Sequence, residues 1–172
     1  MGAGPAALSA RLPGTRNEPG ARCRRSCYAT GMHRIGDVSI DLGDDHVATV
    51  EIHRPPNNFE DGELIGALAA AVTELNGEPG CRAIVLCAEG KHFCAGANFG
   101  PGAPPERLGS KRYDDAAMLL GAEVPMVAAV QGAAVGAGLG IACSADFRVA
   151  SPETRFSAVF AKLGFHHGSG SA

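Results

Sequence analysis

The chain lacks positive charge outside its first residues. Residues 32–172 carry ten Lys and Arg side chains against seventeen Asp and Glu, a net charge of about −7. Residues 1–31, in contrast, carry five Arg and one acidic residue. A nucleic-acid-binding domain needs a basic face that neutralises phosphates. The charge balance therefore excludes broad nucleic-acid binding, and we expect no nucleic-acid partner.

The sequence also lacks a secretory apolar region and closely paired cysteines. Without a secretory segment, disulfides are not favoured, and the cysteines that sit in apolar runs are predicted to be buried free thiols of a reducing compartment, the cytoplasm. Neither the cysteine spacing nor the isolated "HH" at 166–167 matches a zinc site, so no metal is expected. The six cysteines are Cys23, Cys27, Cys81, Cys87, Cys94 and Cys143.

The longest uncharged run contains 22 residues between Glu123 and Asp146. Its length would permit a membrane helix, and three of its glycines follow one another at intervals of four residues, as in membrane helix interfaces. However, the run has a proline, no aromatic residue at either end and no basic cluster on one side. We therefore predict that the chain has no membrane span.

Residues 1–31 are rich in Gly and Pro, have no apolar period and are predicted to be a disordered leader. Two interpretations of this segment stay open. It is either an over-extended start, with the natural beginning at Met32, or an Arg-rich transit peptide, which would imply a mitochondrial location. Residues 32–172 are expected to form the one folded domain.

Patterns of apolar residues predict alternating strands and helices in residues 32–172. "VSIDL" and "HVATVEI" are predicted to be strands around the turn "GDD", and "EDGELIGALAAAVTELNG" contains a helix with apolar residues on one face. "CRAIVLCA" and "PMVAAVQG" resemble strands covered on both faces, with a helix near Tyr113–Gly121 between them. A helix in "GAGLGIACSAD" and two short strands around "SPET" follow. This order predicts a mixed α/β domain.

The glycines in "VQGAAVGAGLG" allow two functional interpretations. "GAAVGAG" fits the phosphate-binding turn of short-chain nicotinamide oxidoreductases, but neither Tyr28 nor Tyr113 is followed four residues later by the Lys of those enzymes. The alternative is a helix start whose backbone N–H groups bind a reacting oxygen atom. Bare backbone serves this role because side chains would block the approach of the oxygen.

Three segments in order favour the second interpretation: "FCAGAN" at 93–98, "PMVAAVQGAAVGAG" at 125–138 and "CSADFRVASPETRFS" at 143–157. Together they resemble the signature segments of the crotonase superfamily, the enoyl-CoA hydratase and isomerase enzymes. The resemblance extends from about His46 to Gly168. It implies a crotonase-type right-handed spiral of β-β-α units that lacks the family's C-terminal helices, as in an incomplete or truncated gene product.

The resemblance implies that an acyl-CoA thioester places its carbonyl between the backbone N–H groups of Ala97 and Ala137, where an oxyanion would be stabilised. Gly136 and Gly138 would keep the turn open. Coenzyme A is then part of the substrate, and no other cofactor is expected. The family assembles as homotrimers or hexamers, and the absent C-terminal helices would carry those contacts. The resemblance places Ala97, Asn98, Phe99 and Gly100 along the pantetheine and adenine part of the ligand, and His53, Arg54 and Asn58 near its nucleotide end. For Arg54, a solvated loop charge is the alternative.

The sequence departs from the family at the two glutamates that add water across the double bond. Gly140 and Phe160 occupy the matching positions, and neither can transfer a proton. His166 is a candidate proton shuttle, with an exposed histidine pair as the alternative. Cys94 is interpreted as a packed thiol and Asp146 as a structural acid. The resemblance thus predicts acyl-CoA binding with doubtful hydratase activity, and the alternative is a non-catalytic acyl-CoA-binding fragment.

Overall fold

The computed structural model describes residues 32–100, 110–164 and 166, so the predictions for residues 1–31, 167 and 168 lie outside the described residues. The described elements alternate between strands and helices, which confirms the mixed α/β class. They are, in chain order, β1 (His33–Ile35), β2 (Val38–Leu42), β3 (Val47–Ile52), α1 (Gly62–Asn76), β4 (Ala83–Ala88), α2 (Ser110–Leu119), β5 (Met126–Val130), β6 (Ala133–Val135), α3 (Ala137–Ser144), β7 (Phe147–Ala150), β8 (Arg155–Ser157) and a short 3-10 helix (Val159–Leu163).

Six of the strands form one sheet in the order β1-β2-β3-β4-β5-β7. The first three strands pair antiparallel, because tight turns connect them, and the pairs β3–β4, β4–β5 and β5–β7 are parallel. Strands β6 and β8 form a second, two-stranded parallel sheet. Each pair of parallel strands is joined by a connection that contains a helix. From β5 to β8, successive strands alternate between the large sheet and the small one.

The core lies between the large sheet and α1. Ile52, Ile84 and Leu64 are fully buried there, and the apolar stripe predicted for α1 is buried along its whole length. The expectation that β4 and β5 are covered on both faces was wrong for the described residues. Alternate side chains of both strands are buried, and those between them are only half-buried. The period-two burial shows that one face of the sheet carries the core.

Helix α1 begins at a side-chain cap. The Asp61 Oδ1 atom accepts a hydrogen bond from the Leu64 amide at 2.9 Å, which satisfies one of the amides that have no partner within the helix. Gly77 ends the helix, as its position after the apolar stripe predicted. The start of α1 is therefore fixed next to the loop of residues 53–60.

The predicted elements were confirmed with small shifts at their ends. Helix α2 begins three residues before the predicted Tyr113 and ends two residues before Gly121, and the sequence patterns did not predict β1, β6 or the 3-10 helix. Among the described cysteines, all free, Cys81 and Cys94 are buried, whereas Cys143 is exposed and corrects the expectation for that residue. No helix in the described ranges is long and apolar enough to cross a membrane.

Candidate active site

Three chain segments run parallel beyond the carboxyl ends of β3, β4 and β5. Glu60 pairs with Ala97, and Cys94 pairs with Ala134 of β6, in isolated parallel bridges. The Glu60 amide donates to the Gly96 oxygen at 2.9 Å, and the Cys94 amide donates to the Ala133 oxygen at 3.0 Å. Residues 93–97, which we call the alanine loop, are therefore held between residues 57–60 and β6.

Glycine allows the start of α3 to approach the alanine loop. A Cβ atom on Gly138 would overlap the Cys94 oxygen and lie 2.8 Å from the Cys94 Cβ atom. Gly96 has a φ of +85°, and a Cβ there would lie 2.8 Å from the Val135 oxygen. Because a side chain at either position would separate the two segments, glycine is what allows the alanine loop to pack against β6 and the start of α3.

The turn into α3 is formed by Gly136, whose φ is +55°. Its amide donates to the Ser157 oxygen of β8 at 2.9 Å, and its oxygen accepts from the amides of Leu139 and Gly140. Ala137 is thus the first helical residue, and its N–H group has no carbonyl one turn earlier in the helix to bind. The partial positive charge of the helix start is centred on this amide.

The amides of Ala97 and Ala137 both lie at the junction of the alanine loop and α3. Because the Glu60 amide donates across the bridge to Gly96, the Ala97 N–H group points to the opposite side, towards β6 and α3. Within the described ranges, neither amide donates a hydrogen bond to a protein acceptor. Two backbone donors at one junction are suited to bind a single oxygen atom.

A small cavity of about 10 Å³ lies beside this junction, between α1, α2 and α3. A volume of this size holds about one water molecule. Ala137 and Gly140 contribute to its wall from α3, Leu119 from the end of α2 and Leu120 from the turn that follows. The remaining lining residues are Ile65, Ala116, Ile141 and Ser144.

Phe160 lies next to the turn. Its ring atoms would lie 3.8 and 3.9 Å from a Cβ atom on Gly136, and Val159 would lie equally close. Neither Phe160 nor Gly140 carries an acidic side chain. The structure thus brings Gly136, Gly138, Gly140 and Phe160 together around Ala137.

The side chains predicted for the nucleotide end of the ligand make hydrogen bonds and ion pairs with other residues of the protein. Arg54 contacts Asp37 and Asp61 at 2.6 Å each. Burial alone would lower the pKa of Arg54, and the hydrogen bonds to both carboxylates raise it. His53 makes hydrogen bonds of 2.8 Å to Ser39 and to Glu89, and its side chain is 14% exposed.

Asn58 is 0% exposed and connects three parts of the backbone. Its Nδ2 atom donates to the oxygens of Glu89 and His92, and its Oδ1 atom accepts from the Arg54 amide at 2.8 Å. These bonds position the chain that leads to the alanine loop. The side chain therefore supports the site from within the protein.

The remaining predicted residues lie at the protein surface. Asn98, Phe99 and Gly100 are exposed, with the Gly100 amide donating to the Asn98 Oδ1 atom at 2.9 Å. Phe99 is 66% exposed. His166 is exposed as well, and its role as a proton shuttle stays a prediction. Asp146 accepts from the Met126 amide at 2.8 Å, which agrees with a structural role.

The sequence patterns did not predict the burial of Glu60 beside the alanine loop. It is 2% exposed, and its backbone pairs with Ala97. The available signal was an acidic residue directly before the N-cap Asp61, but acidic residues near helix starts are common at protein surfaces. Its burial became evident only from the fold.

Comparison with known proteins identifies relatives of this chain along most of its length. The family model described as enoyl-CoA hydratase/isomerase matches residues 43–172. A probable enoyl-CoA hydratase of Mycobacterium tuberculosis is 41% identical over 133 residues, which cover 74% of this chain and 52% of that protein. Cyclohexa-1,5-dienecarbonyl-CoA hydratase of Thauera aromatica is 28% identical over 123 residues, 70% of this chain and 48% of that protein.

Solved structures show the same fold. An enoyl-CoA hydratase subunit from Geobacillus kaustophilus superposes with a TM-score of 0.70 at 29% identity, covering 78% of this chain and 53% of that one. An enoyl-CoA hydratase/isomerase from Pseudoalteromonas atlantica gives a TM-score of 0.67 at 29% identity, covering 77% and 54%. The chain spans about half the length of the curated relatives it matches.

Proposed function

The chain belongs to the enoyl-CoA hydratase/isomerase family, and we propose that it binds the thioester carbonyl of an acyl-CoA between the amides of Ala97 and Ala137. The supporting observation is that both amides lie at one junction and donate to no protein acceptor within the described ranges. This family relationship leaves no support for the nicotinamide oxidoreductase alternative. Coenzyme A enters as part of the substrate.

Two hydrogen bonds at one carbonyl oxygen favour the enolate over the neutral thioester. Negative charge grows on the oxygen when a proton leaves the α-carbon, and fixed N–H dipoles stabilise that charge without rearranging. The start of α3 adds its partial positive charge at Ala137. The site is therefore suited to reactions that begin with an enolate or an enolate-like transition state.

Addition of water to a double bond requires more than this oxygen site. A positioned group must deprotonate the water, and loss of such a group typically lowers the rate by about 10²- to 10⁴-fold. Gly140 and Phe160 supply no such group. We therefore propose that simple enoyl-CoA thioesters are bound but hydrated far below ordinary enzymatic rates. Binding without turnover is the second candidate function, favoured by the same two residues.

The variant Ala137→Pro tests the carbonyl site with little disturbance of the fold. Proline is well accepted at the first position of a helix, and there it replaces the N–H hydrogen by a ring carbon. Ala137→Ser is the matched control, because it keeps the amide. Binding of crotonyl-CoA to the full chain would be measured by titration calorimetry, and hydration by the loss of enoyl absorbance.

We expect the serine variant to bind like the natural chain and the proline variant to bind about tenfold more weakly, the value of one lost hydrogen bond. Equal binding by all three proteins would exclude Ala137 as a donor. Rapid hydration by the natural chain would show that another residue activates water. The family's homotrimer or hexamer is a separate proposal, which the same samples test by their mass in solution.

A further inference from the structure

A shallow groove of about 520 Å³ runs between α1 and α2. It shares no lining residue with the small cavity beside the carbonyl site. Met118 of α2 lines the groove, whereas the next residue, Leu119, lines the cavity. The groove is therefore a separate feature of the surface, and the function proposed above does not use it.

Small side chains form the α1 wall of this groove. They follow one another at intervals of three, one and three residues, which places them on one face of the helix. These residues are Gly66, Ala69, Ala70 and Thr73. Because none of them has a long side chain, the α1 wall leaves room for a long side chain from elsewhere.

Two carboxylates give the groove its charge. Glu74 lines it from α1 and Asp115 from α2, and no Lys or Arg of the described residues lines it. The Glu74 side chain is 22% exposed, so solvent and ligands can reach it. A binding partner for this groove should therefore combine positive charge with a long apolar stem. The arginine side chain has this chemistry.

Residues 1–31 contain such side chains, five Arg against one acidic residue, and they precede a strand that contacts the groove. The Nε2 atom of His33, the first residue of β1, lies 3.0 Å from the Oε1 atom of Glu74. Arg25 lies eight residues before His33. Eight extended residues span roughly 26 Å, whereas the groove extends only about 12 Å along α1. The arginines closest to His33 in sequence can therefore reach every part of the groove.

We propose that the groove between α1 and α2 is a docking surface for the arginine-rich segment of the same chain. In this interaction, Arg22, Arg24 and Arg25 bind the carboxylates of Glu74 and Asp115. Each carboxylate has two oxygens that accept several hydrogen bonds, so an existing partner does not prevent arginine from binding.

Covalent connection makes this interaction effective although each ion pair is weak. A tethered segment has an effective concentration of about 1 mM at its binding surface. Arginine side chains also bind carboxylates without a regular backbone conformation. The proposal is therefore compatible with the disorder that the composition of residues 1–31 predicts.

The test measures how fast trypsin cleaves the native full chain after Arg22, Arg24 and Arg25, with the products identified by mass spectrometry. Ala70→Lys and Ala70→Glu place opposite charges at one exposed position in the groove and remove no existing contact. Ala150→Lys and Ala150→Glu are the matched controls. Ala150 is exposed on β7, at the opposite edge of the large sheet from β1.

We expect cleavage of Ala70→Lys to be about two- to fivefold faster than that of the natural chain, and cleavage of Ala70→Glu to be slower. The protease cuts only the segment that has left the groove, and exposed ion pairs have strengths of this order. The rates should converge in about 1 M salt, where charges are screened beyond about 3 Å. The Ala150 variants should be cleaved like the natural chain.

Equal cleavage of the natural chain and both Ala70 variants would overturn the proposal, as would the same shifts in the Ala150 variants. Protection that increases with protein concentration would assign the groove to a second copy of the chain instead. If circular dichroism shows that the Ala70 variants lose helix, Asp115→Asn leaves α1 unchanged and should also speed cleavage. An unchanged rate in that variant would contradict arginine binding at the groove.

Discussion

The α1 region, formed by β2, β3, β4 and α1, differs sharply in burial from the β7 region, formed by β7, β8 and the 3-10 helix. In the α1 region, Leu64 and Ile84 are 0% exposed. In the β7 region, Phe147 and Val149 are 64% and 65% exposed, and all four residues of β7 face solvent. The first region covers its apolar side chains with its own residues, and the second presents apolar side chains that the described residues leave open.

The carbonyl site lies across the boundary between these regions. Ala97 belongs to a loop held by residues 57–60, which connect β3 to α1 in the α1 region. Ala137 follows Gly136, which binds Ser157 and lies against Phe160 of the β7 region. Damage to the α1 region should therefore unfold the protein, whereas changes in the β7 region should affect association and ligand access while the fold persists.

The largest expected effect is the loss of a core side chain. Leu64→Ala should lower the free energy of unfolding by about 2–5 kcal/mol, because it leaves a cavity in a fully buried position. Urea denaturation measures this value. Phe147→Ala is the matched control, and a surface change of this kind should cost less than about 0.5 kcal/mol. Equal losses in the two variants would remove the distinction between the regions.

A smaller loss is expected where α3 meets the alanine loop. Gly138→Ala places a Cβ against the backbone of Cys94, and such overpacking costs about 1–3 kcal/mol. It should also weaken crotonyl-CoA binding, because it separates Ala97 from Ala137. Gly62→Ala is the control: nothing lies within 4 Å of its added Cβ, so stability should stay equal or increase. A Gly138→Ala protein with unchanged stability and unchanged crotonyl-CoA binding would show that the close approach of α3 to the alanine loop is not required.

The ion pair at the start of α1 should give a modest, pH-dependent contribution. Burial alone would raise the pKa of Asp61, but hydrogen bonds from the Leu64 amide and from Arg54 lower it below its ordinary value of 3.8. The stabilisation that comes from the lowered pKa of Asp61 is fully present above pH 3.8, and it is lost as the pH falls through the lower pKa of the folded state.

Comparison of the natural chain with Asp61→Asn, which keeps a capping oxygen without the charge, isolates this contribution. The difference in unfolding free energy should be at most about 1 kcal/mol, because solvent screens the half-exposed pair. It should be constant near neutral pH and shrink below pH 3.8. A difference that grows on acidification would have the wrong sign for a lowered pKa.

Substitutions in the β7 region should have the smallest effect on the free energy of unfolding. They should have a measurable effect on self-association. Apolar side chains grouped on a surface favour self-association. The double variant Phe147→Ser, Val149→Ser should therefore reduce the mass measured by light scattering, with little change in the urea midpoint. A natural chain that is already monomeric at all concentrations would contradict this expectation.

The sequence predicted those parts of the fold in which local pattern and tertiary role agree. The α1 stripe has the helical period, and the glycine turn lies between a strand and a helix, so both were predicted. Strand β6 has three residues between two glycines, and its partners are distant in sequence: residue 94 and Arg155–Ser157. No local period could reveal it. The exposure of Cys143 and the burial of Glu60 likewise depend on packing rather than on residue type.

The central claim is that two backbone amides bind one thioester oxygen, and the vibrational frequency of that carbonyl tests it most directly. Crotonyl-CoA labelled with ¹³C at the carbonyl would be bound to the natural chain, to Ala137→Ser and to Ala137→Pro, and its stretch recorded by isotope-edited infrared spectroscopy. Hydrogen bonds polarise the carbonyl and lower its frequency. We predict a lower frequency than in solution for the first two proteins and a partial return for Ala137→Pro. A bound thioester with the same frequency in all three proteins would contradict the account.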